Sequence, residues 1–255
     1  MPKKNRGGKR NPPVSQAGTQ PPQISIAIQQ AQPQSQQQQV VNQPQVGQRA
    51  KQDCVADLKK LGVRVDQSLL NSATDKEMNG ITESIEFIES EFPRMRNIPD
   101  ASGGSKTRNA LKILAADNLK PNVMGNASMY GEINFAKAYL GSHGGQRGVA
   151  SHETGHMLER AIILMHEKSL LGCARAWNKC TYATQILHEA CSNLKKGAYK
   201  GQGMTNNAFI GQVSQYALTN RSEALAECVK DYCKNGANSK PVSIEVWKIL
   251  KRELG

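Results

Sequence analysis

Aromatic side chains are scarce, at 5% of 255 residues, and none lies in the first 50. The basic cluster Lys3, Lys4, Arg6, Lys9 and Arg10 therefore has no ring on which a base would stack, and it offers nucleic acid at most a weak electrostatic contact. Long apolar runs are missing as well. Ile24-Ser25-Ile26-Ala27-Ile28 falls far short of a membrane span or a signal-peptide core, so no membrane partner is expected. The six cysteines, at positions 54, 173, 180, 191, 228 and 233, include no CxxC pair. Cys173 and Cys180 could make a second metal site, but their spacing is not a strong signature of one, and reduced thiols in a cytoplasmic setting are the expectation.

Acidic residues are absent from residues 1–50, which hold 14 Gln and 7 Pro. Such a segment cannot bury enough apolar surface to offset its ordering entropy, and it is predicted to be a disordered tail. The tail carries six of the 33 basic residues, which leaves 27 basic against 21 acidic in the rest. Half of the net charge of +12 thus sits in the tail.

What the chain does have is His152-Glu153-Thr154-Gly155-His156. On a helix, His152 and His156 lie one turn apart on one face, where two imidazoles can grip one metal ion. Glu153 points beside them, within reach of a metal-bound water as a general base. The apolar run through Ala161-Ile162-Ile163-Leu164-Met165 predicts a mostly buried helix whose only inward polar group is the His pair. Gly155 costs about 1 kcal/mol inside a helix relative to Ala, and close approach of another backbone would account for it. An alternative has both His hydrogen-bonded in a core and Glu153 on the surface.

Two His leave a tetrahedral zinc in need of a third protein ligand. The metzincin continuation is absent, because Glu159 and Ile162 stand where its Gly and third His would be. His166 falls ten residues beyond His156 on the same helix, too far to share its metal. A Glu on a second helix is the better candidate. One such helix begins near Asn220, with Leu225, Cys228, Val229 and Tyr232 as a core-facing stripe and Glu223 and Glu227 together on another face. A plainer reading makes Asn220 a cap, Glu223 the close of a capping box and Glu227 a solvated partner of Lys230.

Tyr216-x-x-Thr219-Asn220-x-x-Glu223-x-x-Ala226-Glu227, following His152-Glu153-Thr154-Gly155-His156, resembles the anthrax lethal factor group of gluzincin metallopeptidases. The resemblance covers roughly the last 130 to 150 residues and rests mainly on these two segments. It implies an α+β, mostly helical, zincin-like domain with a small sheet upstream of the His helix. It also implies one Zn2+ held by His152, His156 and Glu223, and hydrolysis of a protein or peptide substrate with Glu153 as base. Glu227 would orient a ligand His through its free ring nitrogen, and Tyr216 would donate to the oxyanion, though an ordinary amphipathic tyrosine is equally compatible with the sequence. The chain from Glu223 onward also resembles zincin-like tails of phage minor head proteins, which implies an architectural alternative in the virion or host cytoplasm.

The remaining expectations concern organisation. Residues 51–104 read as a helical accessory region, with helices over Cys54–Leu61 and Asp75–Phe92, and residues 105–255 as the catalytic domain. A further helix is predicted over Thr107–Leu114, a strand over Met129–Ala136 that would pair with an added substrate strand or serve structure alone, and a helix over Thr184–Leu194. His143, in a flexible loop, has two readings, a contact to substrate and the more ordinary one of a solvated side chain. Oligomeric state is not legible.

Overall fold

The computed structural model describes residues 49–97, 111–141 and 146–255. Nearly all of the predicted tail, the 98–110 segment and the loop holding His143 lie outside these residues. Arg49, inside the stretch expected to be disordered, is fixed: its guanidinium forks onto both carboxylate oxygens of Glu86, at 2.9 Å each, and onto Asp57 at 2.9 Å.

In chain order, α1 (Lys51–Lys60), β1 (Arg64–Val65), α2 (Gln67–Ser72) and α3 (Asp75–Glu91) lead to β2 (Lys112–Ala116), β3 (Gly125–Ala127) and β4 (Glu132–Ala136). Then come α4 (Arg147–His166), α5 (Leu170–Asn178), α6 (Thr181–Lys196), α7 (Asn206–Gly211), α8 (Arg221–Asn235) and α9 (Pro241–Leu254). The described chain is thus mostly helical with one small mixed sheet. Thr74 and Glu77 close a capping box that starts α3, and Met78, Ile81, Ile85 and Ile88 are fully buried along it. The expected helix at Thr184–Leu194 is the body of α6.

The sheet runs in the order β1-β2-β4-β3, parallel except for the β3–β4 pair. Alternation sends Ile113 and Ala115 of β2, and Ile133 and Phe135 of β4, into the core. Two expectations are corrected here. Leu111 onward is not helical: Lys112 to Ala116 pair residue by residue with Glu132 to Ala136, and this pairing overrides good helix formers such as Leu, Ala and Lys. The Met129–Ala136 strand is shorter, because Gly131, at φ 81°, turns the chain just before β4. It is also internal, with β3 as the outer strand on that side.

Helix α4 lies between α3, α8 and the sheet, and every residue from Ala150 to Leu164 is buried. Burial on all sides explains why its apolar residues do not form one stripe. The expectation that its His pair would be its sole inward polar group fails. Ser151, Glu153, Thr154, Glu159 and Arg160 are buried too. Arg160 donates to the Met129 carbonyl at 2.6 Å, and Ser151 bonds the Arg147 carbonyl at 2.9 Å. On the far side, Trp247 of α9 stacks on Tyr232 of α8 at 4.2 Å and meets Phe92 edge-on at 4.7 Å. Such pairs add about 0.5–1.5 kcal/mol each beyond area burial, and they tie α8 to the end of α3.

Candidate metal centre

The site is built where α4 and α8 come closest. Gly155 faces α8, and a Cβ there would stand 2.9 Å from the Ala226 Cα and 3.2 Å from the Val229 Cβ. The close backbone approach anticipated from the sequence is therefore present, one residue from His156. Asn220 caps α8 by accepting from the Glu223 amide at 2.9 Å. That is only half of the expected capping box, since the Glu223 side chain turns instead to the histidines.

Glu223 Oε2 lies 3.0 Å from His152 Nε2 and 3.5 Å from His156 Nε2. One ligand atom from each of His152, His156 and Glu223 lies within 4.8 Å of the others. These three residues could hold a metal ion, and they are the one such group among the described residues. The donor set of two imidazole nitrogens and a carboxylate oxygen is compatible with zinc. Cys173 and Cys180 take no part, and no disulfide joins any of the six cysteines.

Each ring nitrogen facing away from Glu223 is engaged. His152 Nδ1 lies 2.9 Å from Glu227 Oε1, which also accepts from Lys230 at 2.9 Å. Glu227 is 6% exposed, so the solvated reading of this residue is corrected. His156 Nδ1 lies 3.0 Å from Ser222 Oγ, and Ser222 donates in turn to Glu159 Oε2. Neither Ser222 nor Glu159 stood out in the sequence. The available signal was Glu159 three residues after His156, on the His face of the helix, and Ser222 next to Glu223.

The charges follow from these contacts. Burial alone would raise Glu223 and Glu227, but hydrogen bonds from His152 and His156 hold Glu223 well below the carboxylate range. Those from His152 and Lys230 hold Glu227 at about 2. Burial disfavours a charged His152, yet its bonds to Glu223 and Glu227 prevail and lift it to about 9 in the metal-free chain. Glu153 behaves oppositely. Burial raises it to about 7, and its Oε2 has no hydrogen-bond partner among the described residues. Burial also pushes Glu159 up, against the opposing Ser222 hydrogen bond.

A cleft of about 570 Å³ opens over these groups, lined by β3, Trp177, Tyr216 and Asn220 among others. A second, of about 260 Å³, lies toward Val149 and Lys230 and shares His152, Glu153 and Tyr216 with the first. Tyr216 is half exposed, with its ring centre 5.8 Å from that of His152. Burial and the Glu223 carboxylate push its phenol up to about 12, so it stays a donor at neutral pH. Gly125 of β3 has no room for a side chain: a Cβ would stand 2.9 Å from Glu153 Oε1 and 2.8 Å from Val149 Cγ1.

The structure thus brings together all the residues singled out for the site: His152, Glu153, His156, Tyr216, Glu223 and Glu227. His166 and His188 lie elsewhere. No helix among the described residues is long and apolar enough to cross a membrane. Compared with protein-family models, with curated proteins and with solved structures, the chain finds no significant match.

Proposed function

We propose that this chain is a zinc-dependent metallopeptidase of the gluzincin type. The observation that carries the reading is the convergence of His152, His156 and Glu223 beside a buried Glu153 carboxyl, one oxygen of which has no partner among the described residues. A structural pair of core histidines has no need of that carboxyl. Burying it without a partner costs about 1–3 kcal/mol, which a water shared with the ligand group would offset.

His152, His156 and Glu223 would hold the ion through Nε2, Nε2 and a carboxylate oxygen. Zinc bound there supplies a Lewis acid that lowers the pKa of water and polarises a carbonyl. Glu153 takes the proton of the attacking water and returns it to the departing amine. Tyr216 donates its phenolic hydrogen to the oxyanion that develops at the scissile carbonyl. Substrate backbone lies along β3, the outer strand, where Gly125 keeps the chain close to Glu153.

The test is the zinc stoichiometry of the full chain beside its Glu223→Ala variant, followed by cleavage of a mixed peptide library with Glu153→Gln as control. One zinc per chain, weaker retention in Glu223→Ala and cleavage lost in Glu153→Gln are expected. A parent that takes up no zinc would overturn the assignment. Zinc without cleavage by the parent would favour the architectural role that the phage head resemblance implies.

A further inference from the structure

The two ligand histidines are backed differently. His152 leans directly on a carboxylate, whereas His156 leans on a hydroxyl. A hydroxyl is ambivalent, since it can accept from an Nδ1–H or donate to a bare Nδ1. The first leaves Nε2 with a lone pair aimed at Glu223; the second puts a proton there and leaves no electron pair for a metal. A serine alone therefore does not select the ligating tautomer.

Glu159 removes the ambivalence. With Glu159 ionised, its Oε2 takes the only proton that Ser222 has, so Ser222 Oγ faces His156 Nδ1 as an acceptor and Nδ1 carries the hydrogen. Glu159 is fully buried, and besides Ser222 its carboxylate has only the Ala183 amide, in the first turn of α6, to favour its charge by hydrogen bonding among the described residues. A carboxylate in such a place is expensive, and an apolar residue of similar volume would serve packing better. It also sits where the geometry needs it, one turn beyond His156 on α4 and opposite the first turn of α8.

We infer that Glu159, acting through Ser222, is a positioning residue that fixes His156 as its Nδ1–H tautomer and thereby prepares Nε2 as a ligand. This rests on the metal-centre reading given above, but it can fail separately. The pair spans α4 and α8, so it also sets the angle at which the second His meets Glu223.

The experiment uses the full chain with its histidine side chains labelled with 15N. In the metal-free parent, at a pH where the ring is neutral, His156 is expected to show a protonated Nδ1 and a bare Nε2. Ser222→Ala and Glu159→Gln should move it toward the other tautomer, and Ser222→Thr, which keeps the hydroxyl, should restore the parent pattern. Zinc titration against a competing chelator should show roughly 10- to 100-fold weaker binding in the first two variants. The double variant should be little weaker than either alone, because both act through one relay. An unchanged tautomer in folded Ser222→Ala would overturn the inference, as would additive losses in the double variant. If the parent bound no zinc, the tautomer readout would still decide the relay while the metal-centre reading failed. Ser222 is only partly buried, so its alanine variant keeps the test open even if Glu159→Gln unfolds.

Discussion

A Cβ on Gly155 would stand 2.9 Å from the Cα of Ala226. That one distance couples the two halves of the candidate site. His152, Glu153 and His156 belong to α4, Glu223 and Glu227 to α8, and the helices meet at a point that admits only hydrogen. The ligand geometry is therefore set by helix packing rather than by a loop, which is how a site gains rigidity.

Gly155→Ala should accordingly destabilise the protein, although alanine is the better helix former by about 1 kcal/mol. The clash is with backbone and with the branched Val229 side chain, so relief requires α8 to move, and overpacking of this kind costs about 1–3 kcal/mol. Moving α8 takes Glu223 away from the His pair, and zinc affinity should fall alongside the melting temperature. Thermal melts with parallel metal titrations measure both. A variant as stable as the parent with unaltered affinity would show that the helices tolerate separation.

Removing the Glu227 carboxylate tests the other relay. Glu227→Ala takes away one of the two hydrogen-bond partners that raise His152, so its titration in the metal-free protein should shift down from about 9. Metal affinity should weaken by roughly 10- to 100-fold. Lys230 loses its partner as well, but it is partly exposed and rehydrates readily. NMR titration of His152 gives the first quantity and chelator competition the second. An unshifted His152 would mean that Glu227 does not help to hold its proton.

The parts of the site that follow from spacing along one helix were legible in the sequence. His152 and His156 at i and i+4 dictate a shared face, and Gly155 between them signalled a close neighbour. Glu227 was visible as a helix-face partner of Glu223, although its burial was not. What escaped depends on contacts between distant positions. Ser222 and Glu159 are 63 residues apart, and each alone looks ordinary, one a residue in the first turn of a helix and the other a charge in an apolar run. The strand β2 escaped for a similar reason. Lys112-Ile113-Leu114-Ala115-Ala116 has helical propensity, and it becomes a strand because β4, 20 residues later, offers a register in which Ile113 and Ala115 are buried.

Glu153→Gln should leave zinc content unchanged and reduce turnover by orders of magnitude, because the amide cannot accept the water's proton. Tyr216→Phe should lower kcat by a smaller factor, with metal content and KM little changed, since its hydrogen bond strengthens only as the oxyanion forms. Metal analysis beside steady-state kinetics separates the two. Turnover retained by Glu153→Gln would remove it as the base, and an unaltered rate in Tyr216→Phe would reduce that residue to a wall of the cleft.

Acid sensitivity has a source outside the site. Glu77 is fully buried; it accepts from the Thr74 amide at 2.8 Å, the Thr74 hydroxyl at 3.0 Å and the Gly141 amide at 3.0 Å. Burial opposes its charge, yet these bonds win and hold its pKa below the ordinary 4.5. A carboxyl whose pKa is lowered by folding contributes stability that is fully present above the unfolded value, here about 4.5, and that fades as pH falls toward the folded value. Glu77→Gln keeps the shape but gives up the charge-assisted bonds, so at neutral pH it should be less stable than the parent by about 1–3 kcal/mol. On acidification through pH 4.5 the parent should lose stability faster than the variant, and the gap between them should narrow. Melts of both proteins across that range check the sign. Parallel curves would show that the Thr74 and Gly141 contacts hold the neutral and charged forms of Glu77 equally well.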